Sequence, residues 1–412
     1  MVSHVIASPS HSLTRWHRLE LLVLLGLLQA TAPISIDLYL PAMPEMERVF
    51  HVDAAAIQVT MVTFLAGFAF GQLLYGPLTD RFGRKPPLYF CLGLFAVSSA
   101  ACAIAPSVGM IAFLRLFQAV GACGGAVISR AIVRDLFPPE ELRRVFSMLI
   151  LVLGVSPVLA PLFGSYLLLW FGWKAAFITQ GILGMALLAG LHFRLRESLS
   201  HSDKRALSWD SVVSAYTRLL LDRTFLGASL VCGFGAGGAF AYISSAPFVF
   251  MSLYHVPTAE FGWLFGSIAA GLVAASQING RMPHSIPLWK VLRVANLVQL
   301  AAASWLILAV FEGFGGLAGV YWGVFVYVAA QGFVFPNGAA IAMTRHADIA
   351  GTASALLGTN QFLIAAATTA MLGFMSDPAI PMAVVILGCA LASNLLNYLT
   401  LGTKLDTAPQ SA

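Results

Sequence analysis

Apolar runs of about twenty residues follow one another along almost the whole chain, and that feature limits what the chain can fold into. A hydrocarbon layer of about 30 Å takes roughly 20 apolar residues to cross as a helix. Stretches such as 21–28 and 149–153 are continuously apolar, not alternating, which favours helices over the strands of an outer-membrane barrel. Of the 412 residues, 59% are hydrophobic and 10% charged, against about 45–50% and about 25% in soluble domains. A soluble globular fold is excluded.

Pro, Gly and charged breaks divide the runs into expected crossings at about 19–40, 54–77, 87–105, 108–130, 145–169 and 175–193, then 225–252, 259–280, 287–311, 315–342, 352–375 and 380–402. The expected organisation is a tail over 1–18, a six-helix bundle over 19–194, a linker over 195–223, a second bundle over 224–403 and a tail over 404–412. The first run has a competing reading. Arg15 and Arg18 precede a short apolar core, and Ala30-Thr31-Ala32 resembles a signal-peptidase site. The run continues to Leu40, however, and the topology works best with all twelve crossings.

Charge placement tests the helix count, because Lys and Arg collect on the cytoplasmic side of short loops. With the N-terminus inside, 20 of the 23 Lys and Arg fall on that side, from Arg15 and Arg18 through Arg81, Arg84, Lys85, Arg130, Arg134, Arg143 and Arg144 to Lys404. Arg48 and Lys174 fall outside, and Arg115 is left within a helix. The net charge of +5 is thus an orientation signal, and no Lys/Arg cluster with interleaved aromatics suggests nucleic acid. The five cysteines lack any Cys-x-x-Cys pair and lie in apolar stretches, as packing residues do. No metal is expected. The nine histidines sit in termini, loops or near helix ends, and no His-Glu-x-x-His pattern occurs, so a polytopic membrane enzyme is the weak rival.

Several segments carry chemistry. After the second crossing, Gly76-Pro77-Leu78-Thr79-Asp80-Arg81-Phe82-Gly83-Arg84-Lys85-Pro86 combines turn-permitting glycines with an acid able to meet a helix N-terminus or an arginine. In the fourth crossing, Arg115-Leu116-Phe117-Gln118-Ala119-Val120-Gly121 places a charge in hydrocarbon at a cost of at least about 2.5–3.5 kcal/mol unless it is paired or hydrated. The alternative is a side chain snorkelling from the outer end. In the fifth, Gly154, Pro157, Pro161 and Gly164 recur at helical spacing, suited to kinking and close helix approach. Asp37, in Ser35-Ile36-Asp37-Leu38-Tyr39-Leu40-Pro41-Ala42-Met43-Pro44, is the sole acid placed inside a helix. The low dielectric disfavours the charged form of such a group, which suits it to proton exchange. The alternative is a residue wetted at the external end near Glu45.

Two halves joined by a charged loop suggest the parallel repeat of major facilitator transporters, and the motifs narrow the likeness. The 76–86 segment resembles that superfamily's G-x-L-x-D-R-x-G-R-K signature, and Arg115 to Gly121 its R-x-x-Q-x-x-G segment. Gly154 to Ser165 resembles the antiporter motif of drug/proton exchangers, with Ser165 for the final glycine. The Asp37 segment resembles the D-M-Y-L-P-A-x-P hallmark of Bcr/CflA drug-resistance exporters, with Leu38 for Met. Val133-Arg134-Asp135, Phe171 to Phe177, Phe335 to Ala340 and Gly351 to Gly358 extend the likeness over both halves.

The resemblance implies an all-α integral membrane protein of twelve transmembrane helices, a proton-coupled exporter of amphenicol, bicyclomycin or sulfonamide-type drugs. It would be a monomer in the bacterial inner membrane, surrounded by lipid, with both termini cytoplasmic. Protons would be the coupling ion, with no cofactor and no nucleic-acid partner. Asp37 and Arg115 would couple protons, and Gly76, Asp80, Arg81, Gly83 and Arg84 would form the gate. The same-class alternative is a proton-coupled exporter or importer of an endogenous metabolite. Gln29, Tyr39, Gln118, Phe234, Phe240, Tyr242, Tyr327, Gln331, Asn360 and Gln361, with Gln277, are polar or aromatic residues in apolar segments able to line a cavity. Serving as polar glue between helices is the even alternative for the polar ones. Gly233-Phe234-Gly235-Ala236-Gly237-Gly238 fits G-x-G-x-x-G, but no strand precedes it, so it reads as helix packing and not as a nucleotide loop.

Overall fold

The computed structural model describes residues 15–195, 197–198, 209–283, 285–374 and 377–401. Its helices are α1 (Arg15–Asp37), α2 (Met43–Phe50), α3 (Ala54–Phe82), α4 (Lys85–Ala103), α5 (Val108–Leu136), α6 (Pro139–Phe171) and α7 (Lys174–Arg194). Then follow α8 (Trp209–Leu221), α9 (Arg223–Ala246), α10 (Thr258–Gly280), α11 (Leu288–Phe311), α12 (Gly316–Met343), α13 (Ala350–Ala370) and α14 (Ala379–Leu401). Twelve spans among the described residues are long and apolar enough to cross a membrane. Helix is the form such runs must take, because hydrocarbon offers no partner to an unpaired backbone amide.

Local chemistry sets the ends. Asp53 accepts the Ala56 amide at 2.9 Å to start α3, and Asp222 accepts those of Thr224 and Phe225 at 2.7 and 3.1 Å to start α9. Pro247 has no N–H to continue α9. The chain widens there into π-helical turns over Pro247–Leu253, closed by the Tyr254 amide on the Val249 carbonyl at 3.0 Å. The 195–223 linker contains α8. That helix turns Leu219 fully inward and leaves Val213 60% and Leu221 77% exposed, a two-faced pattern suited to the membrane interface.

Large apolar side chains cover the outside, including Phe90, Val97, Trp170 and Phe193, each at least 66% exposed. In water this would be an aggregating surface; in lipid it is the solvent-matched one. Inside, α5 packs on α1, α3 and α4, α4 on α7, and α1 on α6. In the second half, α9 packs on α12, α13 and α14, and α11 on α12 and α14, with α10 on α12. The halves meet along two seams, α3 with α13 and α6 with α10. With twelve crossings, α1 begins and α14 ends at the same face, called here the terminal end; the opposite face is the distal end.

Candidate functional site

Arg115 is completely buried in the first half. Its Nη1 donates to the Ser35 carbonyl and to Gln118 Oε1, each at 2.9 Å, and its Nη2 donates to Met61 Sδ at 3.4 Å. The guanidinium carbon lies 4.7 Å from the Tyr39 ring centroid and 4.3 Å from that of Phe64. Two aromatic faces and two charge-assisted hydrogen bonds offset part of the desolvation of a buried cation. Gln118 passes the network on, its Nε2 donating to Ser99 Oγ and Gln180 Oε1, each at 2.7 Å. Tyr39 joins it through its ring, which meets the Arg115 guanidinium, and its hydroxyl lies 2.8 Å from Thr60 Oγ1.

Asp37 is the last residue of α1 and is 4% exposed. Among the described residues no hydrogen bond or ion pair reaches its carboxylate, and Arg115 binds the backbone two residues earlier instead. The groups read from the sequence as one proton-coupling pair therefore share no direct bond among the described residues. Facing Asp37 from the second half is Tyr242 of α9, within electrostatic range of the carboxylate. Its ring stacks on Phe265 at 5.4 Å, and its buried hydroxyl has no partner among the described residues.

Gly154, Pro157, Pro161 and Gly164 lie on α6, the helix that bridges Asp37 and the seam. A Cβ on Gly164 would run into the Leu38 carbonyl, one residue beyond Asp37. On the seam side, a Cβ on Gly262 of α10 would stand 2.6 Å from Leu162 Cα, and one on Gly266 would stand 3.0 Å from the Val158 carbonyl. Across the other seam, Phe68 and Phe362 have ring centroids 4.4 Å apart, and Phe362 lies 5.7 Å from Phe240. Distally, α2 lies against the Pro247–Leu253 turns. The halves are thus joined from the centre toward the distal end, where a cavity of about 630 Å³ opens between α2 and residues 251–258.

Toward the terminal end they part around a vestibule of about 470 Å³, lined from the first half by Gln72, Gly76, Arg84, Arg130, Arg134 and Asp135 and from the second by Tyr216 and Asp348. Gly83 (φ +92°) turns the chain between α3 and α4. Arg84 pairs with Asp135 at 2.8 Å, while the Arg84 and Lys85 amides donate to the two Glu197 oxygens at 2.9 and 3.1 Å. Arg81 is exposed over the Phe82 ring. The Asp80 side chain lies outside the described residues.

The polar and aromatic set divides. Gln118 and Tyr39 belong to the Arg115 network, away from the vestibule. Tyr327 and Gln331 form a second-half cluster, Gln299 Nε2 donating to Gln331 Oε1 at 3.0 Å and Tyr327 donating to the Gly235 carbonyl at 3.4 Å. Gly235 and Gly238 let these side chains lie against α9. Asn360 donates to Ser229 Oγ at 2.9 Å. Phe240 lies at the α3–α13 seam and Phe234 is half-buried; Gln29 is buried, Gln361 half-buried and Gln277 exposed. Sequence reasoning missed Gln180, Ser99 and Met61. Gln180, a lone amide in an apolar run, carried the one usable signal.

Residues 25–370 match the model of the Major Facilitator Superfamily. The chain is 35% identical to an uncharacterized MFS-type transporter, YdgK, of Bacillus subtilis, over 93% of this chain and 96% of that one. It is 30% identical to a bicyclomycin resistance protein homolog of Haemophilus influenzae, over 91% and 94%. It shares the fold of a bacterial homolog of the human lysosomal transporter Spinster, solved inward-facing and occupied, with a TM-score of 0.75, 17% identity, and coverage of 97% of this chain and 100% of that one.

Proposed function

The chain belongs to the Major Facilitator Superfamily, and we propose that it is a proton-coupled exporter of small amphipathic drugs of the bicyclomycin, amphenicol or sulfonamide type. It works by alternating access in a bacterial inner membrane, with the terminal end in the cytoplasm. The carrying observation is Asp37, a buried carboxylate at the end of α1 beside α6, without a partner among the described residues. Leaving a bare carboxylate ionised in such a place costs several kcal/mol, and taking up a proton removes that cost.

Asp37 takes a proton from outside while the distal end is open. The protonated, neutral side chain then tolerates closure of the distal seam. With the terminal end open, substrate entering through the vestibule brings a wetted path to Asp37, and the proton then leaves to the cytoplasm. A potential of about 100 mV contributes roughly 2.3 kcal/mol per charge moved. Arg115 holds the end of α1 through the Ser35 carbonyl, so its part is to fix where Asp37 stands. The resistance name of the Haemophilus relative and the α6 motif support export over import.

The test is gradient-driven chloramphenicol accumulation in inverted membrane vesicles. The wild-type protein should accumulate drug and lose it on adding a protonophore, whereas Asp37→Asn should stay at the protonophore level. Full accumulation by Asp37→Asn would overturn the assignment.

A further inference from the structure

Among the described residues, the vestibule carries positive charge that its neighbours leave unneutralised. Arg130 and Arg134 are four residues apart on α5, so they share one helix face, and both line the cavity. Arg130 is half-buried, and its Nε donates to the Ala126 carbonyl of its own helix at 3.1 Å. Among the described residues neither guanidinium has a carboxylate within ion-pair distance. Two carboxylates line the same cavity, and both are engaged by other arginines. Asp135 is held by Arg84 at 2.8 Å and Asp348 by Arg218 at 2.6 Å. The second-half lining includes the apolar and aromatic Val212, Ala215 and Tyr216 of α8, beside Asp348, Thr352 and Ser354.

We propose that Arg130 and Arg134 form an anion-recognising entrance that draws amphipathic organic anions into the vestibule ahead of cations, the acidic group on the arginines and the apolar body against α8. This rests on the exporter reading for the direction of travel; recognition of the anion does not depend on it. Guanidinium forks suit carboxylate and other oxyanion groups, and a cavity of a few hundred Å³ is the size that takes a drug-like ligand. A cleft with one sign of charge on low-dielectric walls raises the local concentration of opposite charge and repels like charge.

The test uses three ligands with one apolar body, 2-naphthoate, 2-naphthamide and 2-naphthyltrimethylammonium, bound at equilibrium to the full chain in phosphatidylcholine vesicles without a proton gradient. Naphthoate should bind about tenfold tighter than naphthamide, a difference worth about 1.4 kcal/mol, and the cation most weakly. The preference should shrink at high salt and vanish in Arg130→Gln/Arg134→Gln, while Arg130→Lys/Arg134→Lys keeps most of it. A matching melting temperature for the Gln variant excludes misfolding as the cause of its loss. Equal binding of naphthoate and naphthamide, or a preference that survives the Gln double variant, overturns the proposal. So does a preference abolished by adding phosphatidylglycerol, which assigns the arginines to lipid headgroups. A wild-type protein without gradient-driven flux would defeat the exporter reading and leave this ratio to be judged alone.

Discussion

Gly262→Ala gives a direct measure of the distal seam. The added methyl would stand 2.6 Å from Leu162 Cα and 3.1 Å from both the Leu162 nitrogen and the Pro161 carbonyl, where carbon contacts settle at about 3.5–4.0 Å. The three nearest atoms are all backbone of α6, so no side chain there can swing away and the seam must part by about 1 Å. Overpacking of this kind costs about 1–3 kcal/mol. Because the cost falls only on the distally closed arrangement, it shifts the balance toward the distally open one by about 5- to 150-fold. Single-cysteine reporters at Ser354 in the vestibule and Ser252 at the distal surface read this directly, the five native cysteines all being buried. Gly262→Ala should speed labelling at Ser252→Cys and slow it at Ser354→Cys. Gly271→Ala is the control: its methyl meets the Phe325 side chain at 2.8 Å inside the second half, so it disturbs packing without touching the seam. Unchanged labelling in Gly262→Ala, or the same change in Gly271→Ala, would refute the reasoning.

Three further outcomes are expected. Gln180→Leu removes the acceptor of Gln118 Nε2 and should lower thermal stability by about 1–3 kcal/mol, read as a melting shift in detergent; an unchanged melting point would make the contact inconsequential. Glu197→Ala frees the amides of Arg84 and Lys85, and loss of such a cap, about 0.5–2 kcal/mol, should speed hydrogen exchange at the start of α4 while leaving α14 unaffected. Burial works against ionised Asp222, yet the Phe225 and Thr224 amides and His346 hold its carboxyl below the usual carboxylate range. Its contribution is therefore complete above the unfolded value, about 3.9, and disappears as pH falls through the lower folded value. Exchange protection at the start of α9 should follow that course, and Asp222→Ala should abolish the pH dependence.

Much of this was legible because the bilayer enforces it. Each crossing must satisfy its own backbone, so apolar run length alone marked twelve helices. Helix α8 was not legible, since its apolar face is short and interrupted by Asp210 and Arg218. Arg115 stood out as a charge with nowhere else to go. Its bond to the Ser35 carbonyl could not be read, because a backbone acceptor leaves no mark on side-chain identity. The seam partner of α6 was readable in part: Gly262 and Gly266 have the small-x-x-x-small spacing of close helix packing, though which helix they approach is a tertiary fact.

The placement of α6 explains why proton site and seam move together under the transport reading. Gly164 rests on the Leu38 carbonyl next to Asp37, while Leu162 and Val158 of the same helix meet Gly262 and Gly266 of α10. Ser165, standing where the antiporter pattern has glycine, is fully buried. In the proposed cycle, parting the seam moves α6 and uncovers Asp37, and closing it buries the carboxylate again. A sealed, ionised Asp37 would be a bare buried charge, costing several kcal/mol, or a factor of at least about a hundred in population. Under the proposed cycle, closure without a proton is suppressed by that factor, so the distally closed state is reached almost only with Asp37 protonated.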